Sequence, residues 1–279
     1  MTIGIIGAGK VGTTLGAYLC KNQIAVSGYY SRTYEHAVCA ADFTKTKAYN
    51  DLQAVVDASD TLFIASCDGE IAHVWDCIAN YNLAGKVICH FSGSLSSNVF
   101  SGIEVTGASG CSIHPMFAFS DKFKSYEKFS SAYLTMEGQE RAVQKMRQLF
   151  EGLGHKVCLV RAEDKMKYHA AAALASNYMI GLFQTSLDLL GECGFSEKDG
   201  RQLLEPLVKN NVRAMLERPT AEVLTGPVER NDTGTVRKHL NVLQGTNAED
   251  IYRSIGKELL VIAGRKNPKQ DYTMLSHLL

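Results

Sequence analysis

Ile3-Gly4-Ile5-Ile6-Gly7-Ala8-Gly9-Lys10-Val11-Gly12 is the stretch on which the reading of the fold turns. A short apolar run leads straight into three glycines spaced two and three residues apart, and a helical pattern follows to Lys21. Strand, turn and helix in that order are the setting in which such a loop binds a pyrophosphate. Gly7 allows the tight turn, Gly9 lets the backbone approach the phosphates, and Gly12 lets the helix pack closely on its strand. The helix N-terminus adds free amides and a favourable dipole. Gly7, Ala8, Gly9, Lys10, Val11 and Gly12 are therefore expected to cradle a dinucleotide.

Outward from this loop, short apolar runs alternate with helical segments up to about residue 160, the pattern of βαβ units on a parallel sheet. Strands are expected near 2–6, 25–30, 61–65, 86–90, 111–114, 132–136 and 156–160. Helices are expected near 10–21, 33–41, 51–58, 70–80 and 139–153. Beyond 160 strand signals stop and helical stretches take over, with Ser196, Thr220, Asp232 and Asn247 placed to cap helices. The fold class is α/β: a Rossmann domain with a mostly parallel sheet over 1–160, then an all-α domain over 161–279. A single long helix is read over 164–193. Its apolar stretch, 170–183, is too short to cross a bilayer and reads as a buried core helix.

The tip of the second strand decides the cofactor. Enzymes using NAD place an acid about 20 residues beyond the loop to bind the ribose hydroxyls. Here that place reads Tyr30-Ser31-Arg32-Thr33. Arg32 can pair with a 2′-phosphate while Ser31 and Thr33 donate hydroxyls, so NADP(H) is favoured. A solvated Arg32 and a Thr33 that merely caps the next helix are the bland alternative.

Carboxyl ends of strands line the ligand crevice of an open parallel sheet. That puts Ser66 and Cys67, after the fourth strand, and Ser92, after the fifth, beside the cofactor, with Ser92 also facing substrate. His114-Pro115 ends another strand, which makes His114 a candidate for substrate contact and proton transfer. His169, Ala173 and Asn177 recur at intervals of four on one helical stripe. His169 and Asn177 join His114 as catalytic candidates. Arg230 beside a helix start suits a substrate anion, with Asp232 next to it as either a substrate contact or a cap.

Lys plus Arg and Asp plus Glu each number 29. This balance lacks the charge footprint of a nucleic-acid or membrane-surface binder, so the partner expected is a small-molecule substrate. The eight cysteines show no Cys-x-x-Cys pair and no ligand spacing; no metal is expected, and buried free thiols are. The N-terminal run lacks the features of a secretory signal, so a cytoplasmic location is expected.

Taken in order, Gly7-x-Gly9-x-x-Gly12, His90-Phe91-Ser92-Gly93, Ser112-Ile113-His114-Pro115, Tyr168-His169-Ala170-Ala171, Ala175-Ser176-Asn177, Thr225-Gly226-Pro227, Arg230-Asn231-Asp232 and His239-Leu240 resemble one family. It is that of the bacterial Rossmann-like oxidoreductases with a helical C-terminal domain of unassigned function, in the superfamily of pyrroline-carboxylate reductase, ketopantoate reductase and phosphogluconate dehydrogenase. The resemblance implies a substrate site between the domains and a homodimer formed through the helical domain. The hydroxyacid-dehydrogenase cousins carry a lysine one helical turn before an asparagine. Here that position is Ala173, and Lys165 and Lys167 lie more than two turns from Asn177. Asn231 stands where the family pattern has glycine. The chemistry expected is hydride transfer to or from a C=N or C=O carbon of a small, anionic substrate. The rival readings are a non-catalytic NADP(H) sensor or scaffold, and an NAD-linked dehydrogenase.

Overall fold

The computed structural model describes residues 1–279. Its strands are β1 (Thr2–Ile6), β2 (Ala25–Tyr30), β3 (Lys47–Tyr49), β4 (Thr61–Ile64), β5 (Val87–His90), β6 (Ser109–Met116), β7 (Tyr133–Gly138) and β8 (Val157–Leu159). They form one sheet in the order β3-β2-β1-β4-β5-β6-β7-β8. From β3 to β6 every pairing is parallel, β7 runs antiparallel to β6, and β8 is parallel to β7. The order reverses between β1 and β4, which is the switch point where α/β sheets bind ligands.

Side-chain alternation explains how the sheet is held. In β4, Leu62 and Ile64 enter one apolar layer with Trp75, Ile88 and Phe100, while Phe63 enters the opposite layer with Leu15, Phe91 and Phe150. All four β4 residues are buried, as in a strand covered on both faces. The covering helices are α1 (Lys10–Lys21), α2 (Tyr34–Thr44), α3 (Leu52–Asp57), α4 (Asp68–Ile78) and α5 (Glu140–Gly152). The three-residue β3 went unread because it is too short to show a period. The strand of His114 also extends further than expected: Pro115 opposes Leu134 of β7 within the ladder instead of opening a loop.

The chain divides into two compact units, Met1–Ala173 and Leu174–Leu279. The division falls later than 160/161 because α6 (Lys165–Ala173) is built into the first unit through the buried Lys165. The single helix expected over 164–193 is interrupted. A π-helical turn, Leu174–Tyr178, separates α6 from α7 (Met179–Glu192), so the stripe of His169, Ala173 and Asn177 does not continue through it.

The second unit consists of α7, α8 (Glu197–Glu217), α9 (Thr220–Val223), α10 (Thr233–Leu243), α11 (Asn247–Lys266) and α12 (Thr273–Leu278). Its core is small: Val228, Val236, Leu240, Leu275 and Leu279. The stretch 170–183, expected to be buried, leaves Leu174, Tyr178 and Ile180 more than 60% exposed. Ser196 and Asp232 cap their helices by accepting from the amides of Asp199 and Thr235. Thr246, not Asn247, caps α11, and Pro219, not Thr220, precedes α9. No helix is long and apolar enough to cross a membrane. All eight cysteines are free, but only Cys89 and Cys111 are buried; the others fall on helix ends, a loop, an exposed strand face or, for Cys39, the exposed face of α2.

Phe63 lies between Phe91 (centroids 4.9 Å apart) and Phe150 (6.4 Å), at the centre of one layer. Phe63→Ala is expected to cost about 3–5 kcal/mol, measured as a lower urea midpoint for the first unit.

Candidate active site

The loop after β1 has the geometry its glycines predicted. Gly7 sits at φ 109°, and its amide donates to the Tyr30 carbonyl at the end of β2 (2.8 Å). A side chain there would strike the Ala65 backbone, and one at Gly12 would strike the Gly7 carbonyl. At Gly9 a Cβ would meet nothing within 4 Å, so the backbone is open to a ligand. Gly9 is also the N-cap of α1 and brings no capping side chain, which leaves the first-turn amides for a phosphate. The Oγ of Ser66, beyond β4, is buried without a partner. Beyond β2, Arg32 is well exposed and its guanidinium meets Glu70 of α4 at 3.2 Å. Thr33 precedes α2, yet its hydroxyl makes no capping bond and is free for another acceptor. These groups fit an adenine dinucleotide bearing a 2′-phosphate.

Past the end of β5 and beside β6, α6 runs in the direction of β6. Lys165 meets Ser112, and Tyr168 meets His114 two strand residues further on. Two residues of strand advance about 6.6 Å and three of helix about 4.5 Å, so the contacts stay nearly in step. The Lys165 ammonium is buried and donates to the Ser92 carbonyl (2.8 Å) and to the Ser112 hydroxyl. Burial holds its pKa down to about 8, against the opposing pull of Glu137, Asp68 and Cys111. Ser92 Oγ donates to Asp68 Oδ2 (2.7 Å) and accepts from the amides of Ser94 and Leu95. Ser94 Oγ donates to the same Asp68 oxygen (2.7 Å). Ser92, expected to touch cofactor and substrate, is thus committed to internal bonds, and Asp68 at the head of α4 is the exposed group of the cluster.

His114 Nδ1 lies 2.8 Å from the Tyr168 hydroxyl, and its ring stands edge-on to that of His169 with centroids 5.7 Å apart. Burial, the Lys165 charge and His169 together lower the His114 pKa to about 4, with Asp68 opposing. His90, fully buried beneath, is lowered to about 4 by burial and then by Lys165, with Ser96 and Asp68 opposing. Both rings are neutral at pH 7.

The first unit therefore gathers His114 and His169 together with Ser92. Asn177, Arg230 and Asp232 belong to the second unit. Asn177 is exposed in the π turn, not buried as its apolar surroundings suggested, and Arg230 is exposed. Asp232 acts as a helix cap, its carboxylate accepting from the Thr235 amide and hydroxyl. Asn231 has φ 58°, the left-handed conformation that lets it replace glycine. Sequence reasoning gave no site role to Asp68 or Lys165, nor to Gly93, Ser112 and Tyr168, which entered only as motif residues of the resemblance. One signal was available: Lys165, Tyr168 and His169 stand at i, i+3 and i+4, on one helical face.

A histidine with a lowered pKa stabilises the fold fully above its unfolded value near 6.5, and that contribution is lost as pH falls toward about 4. Unfolding free energy is expected to drop across pH 6.5 to 4, and His90→Gln should flatten that slope in denaturant titrations.

Comparison with known proteins places the fold. No curated protein sequence matches the chain. Among solved structures, a Thermotoga maritima protein is 26% identical, with 95% of this chain and 99% of that one covered at a TM-score of 0.75. A Bacteroides fragilis protein provisionally assigned as an NADP oxidoreductase is 21% identical (93% and 98% covered, TM-score 0.76). An imine reductase from Myxococcus stipitatus, in complex with NADP+, is 16% identical (100% and 99% covered, TM-score 0.62). Residues 1–115 match the model of a Rossmann-like domain and residues 132–259 that of a domain of unknown function (DUF2520).

Proposed function

We propose that the protein is an NADP(H)-dependent oxidoreductase acting on the C=N or C=O carbon of a small molecule. One observation carries the reading: a glycine loop open to phosphate at the β1/β4 switch point shares its sheet edge with a cluster of neutral histidines and a buried ammonium. The structural relatives named for NADP chemistry support it. When bound, the cofactor supplies or takes the hydride.

The chain's own residues do the rest. Gly7, Ala8 and Gly9 with the first amides of α1, at Lys10, Val11 and Gly12, would hold the pyrophosphate. Ser31, Arg32 and Thr33 would hold the 2′-phosphate, and Ser66 and Cys67 would line the path to the reacting end. Arg32 would exchange Glu70 for the phosphate, a small loss because exposed ion pairs are weak and screened. Burial, reinforced by the Lys165 charge, keeps His114 and His90 uncharged, and Lys165, protonated at pH 7, adds a positive field beside the group that gains electron density.

Calorimetric titration should show NADPH binding more tightly than NADH, with Arg32→Ala losing roughly 10- to 100-fold of that preference. Purified protein should oxidise NADPH in the presence of one member of a panel of keto acids, imines and cyclic imines. Binding without turnover across the panel would instead favour the sensor reading.

The second unit supports a homodimer. Large apolar side chains stand exposed on α7 (Ile180, Leu182) and α8 (Leu203, Leu207, Leu216), and an isolated chain rarely shows so many to water. A second copy is the partner that would cover them. Sedimentation velocity should give a dimer, and Leu207→Glu should shift it to monomer.

A further inference from the structure

We propose that Glu70 sets how sharply the protein tells NADP(H) from NAD(H): its carboxylate competes with the 2′-phosphate for Arg32, and it accepts a hydrogen bond from the ribose when that position carries a free hydroxyl. The protein is then expected to bind both cofactors, NADPH the more tightly. The proposal rests on the NADP(H) reading above and concerns the adenosine end of the same site.

The sheet brings the two residues together. β2, β1 and β4 are neighbours, and strands stand about 4.8 Å apart, so the ends of β2 and β4 lie about 10 Å from each other with the β1 loop between them. Packing there is close: the Gly7 amide donates to the Tyr30 carbonyl of β2, and a side chain at Gly7 would strike the Ala65 backbone just past β4. Arg32 follows β2, and Glu70 lies in the first turn of α4, which follows β4. Their long side chains span the gap, and Arg32 Nη1 donates to Glu70 Oε2 at 3.2 Å.

The tip of β2 has no acid of its own, at the place where NAD enzymes keep the carboxylate that binds the ribose hydroxyls. The fold supplies one from 38 residues further along the chain. Glu70 Oε1 makes no hydrogen bond, so the carboxylate has an oxygen to offer while the other holds Arg32. Side chains that are 86% and 39% exposed gain little stability from pairing, because water and salt screen them. The place of the pair, at the ligand edge, is what gives it an effect.

The two cofactors meet this pair differently. A 2′-phosphate takes over the guanidinium and brings nearly two negative charges to the neighbourhood of Glu70, whose own charge stays where it is. NADP(H) is thus held by Arg32 against a standing repulsion. NAD(H) brings no phosphate there, so Arg32 keeps Glu70 oriented and the free oxygen accepts from the ribose. One residue lowers the affinity for the first cofactor and raises it for the second.

Calorimetric titration of the full-length protein tests this without turnover. Glu70→Gln keeps the shape of the side chain and removes its charge, and its thermal midpoint should match that of the parent. The NADPH Kd is expected to fall about 3-fold and the NADH Kd to rise about 3- to 10-fold, widening the preference for NADPH by about 10-fold or more. Raising the salt from about 50 to about 500 mM should shrink the gain with NADPH. In an Arg32→Ala background that gain should also shrink, because no guanidinium is left to release. A preference that Glu70→Gln leaves unchanged or narrows, or a parent protein with no measurable NADH binding, overturns the role of Glu70 while the NADP(H) reading stands. A parent that binds NADH at least as tightly as NADPH, with Arg32→Ala altering neither, overturns the NADP(H) reading itself and the competition with it.

Discussion

A single ammonium group organises the first unit. A lysine that is 1% exposed must have its charge satisfied by protein atoms, and Lys165 finds the carbonyl of Ser92 and the hydroxyl of Ser112. Those acceptors lie just past the end of β5 and within β6, so the bond ties two strands and the start of α6 together at one place. Tyr168 and His169 stand beside His114 because Lys165 is anchored one turn earlier.

The same charge shapes the electrostatics around it. The dry surroundings, and after them its positive field, keep His90 and His114 neutral, while Asp68 and Glu137 supply the negative charge that lets an ammonium persist in the interior. Glu137 is in turn held by the Ser97 amide and hydroxyl at 2.7 Å each. Serines, which as isolated residues look like turn formers, act here as connectors between buried charges.

Much of the fold was legible in the sequence because its signals are local. The β1 loop depends on three glycines within six residues, and β1, β2 and α1 fall where the pattern puts them. The candidate site was legible only in part, since its geometry depends on long-range contacts. His114 and Lys165 are 51 residues apart, and nothing near Lys165 in the sequence says that it meets Ser112. Asn177 misled for a different reason. A polar residue in an apolar run suggests burial, but the run belongs to helices whose apolar faces are exposed in the single chain.

The reversal of β7 decides which way α6 can point. Tyr133 opposes Met116 and Gly138 opposes Cys111, so β7 descends from the ligand edge, and β8, parallel to it, descends as well. The chain leaves β8 low on the sheet, at Leu159 beside Met136, and α6 has nowhere to go but up along β6. Had β7 kept the polarity of its neighbours, the chain would have emerged at the ligand edge and the helix would run downward.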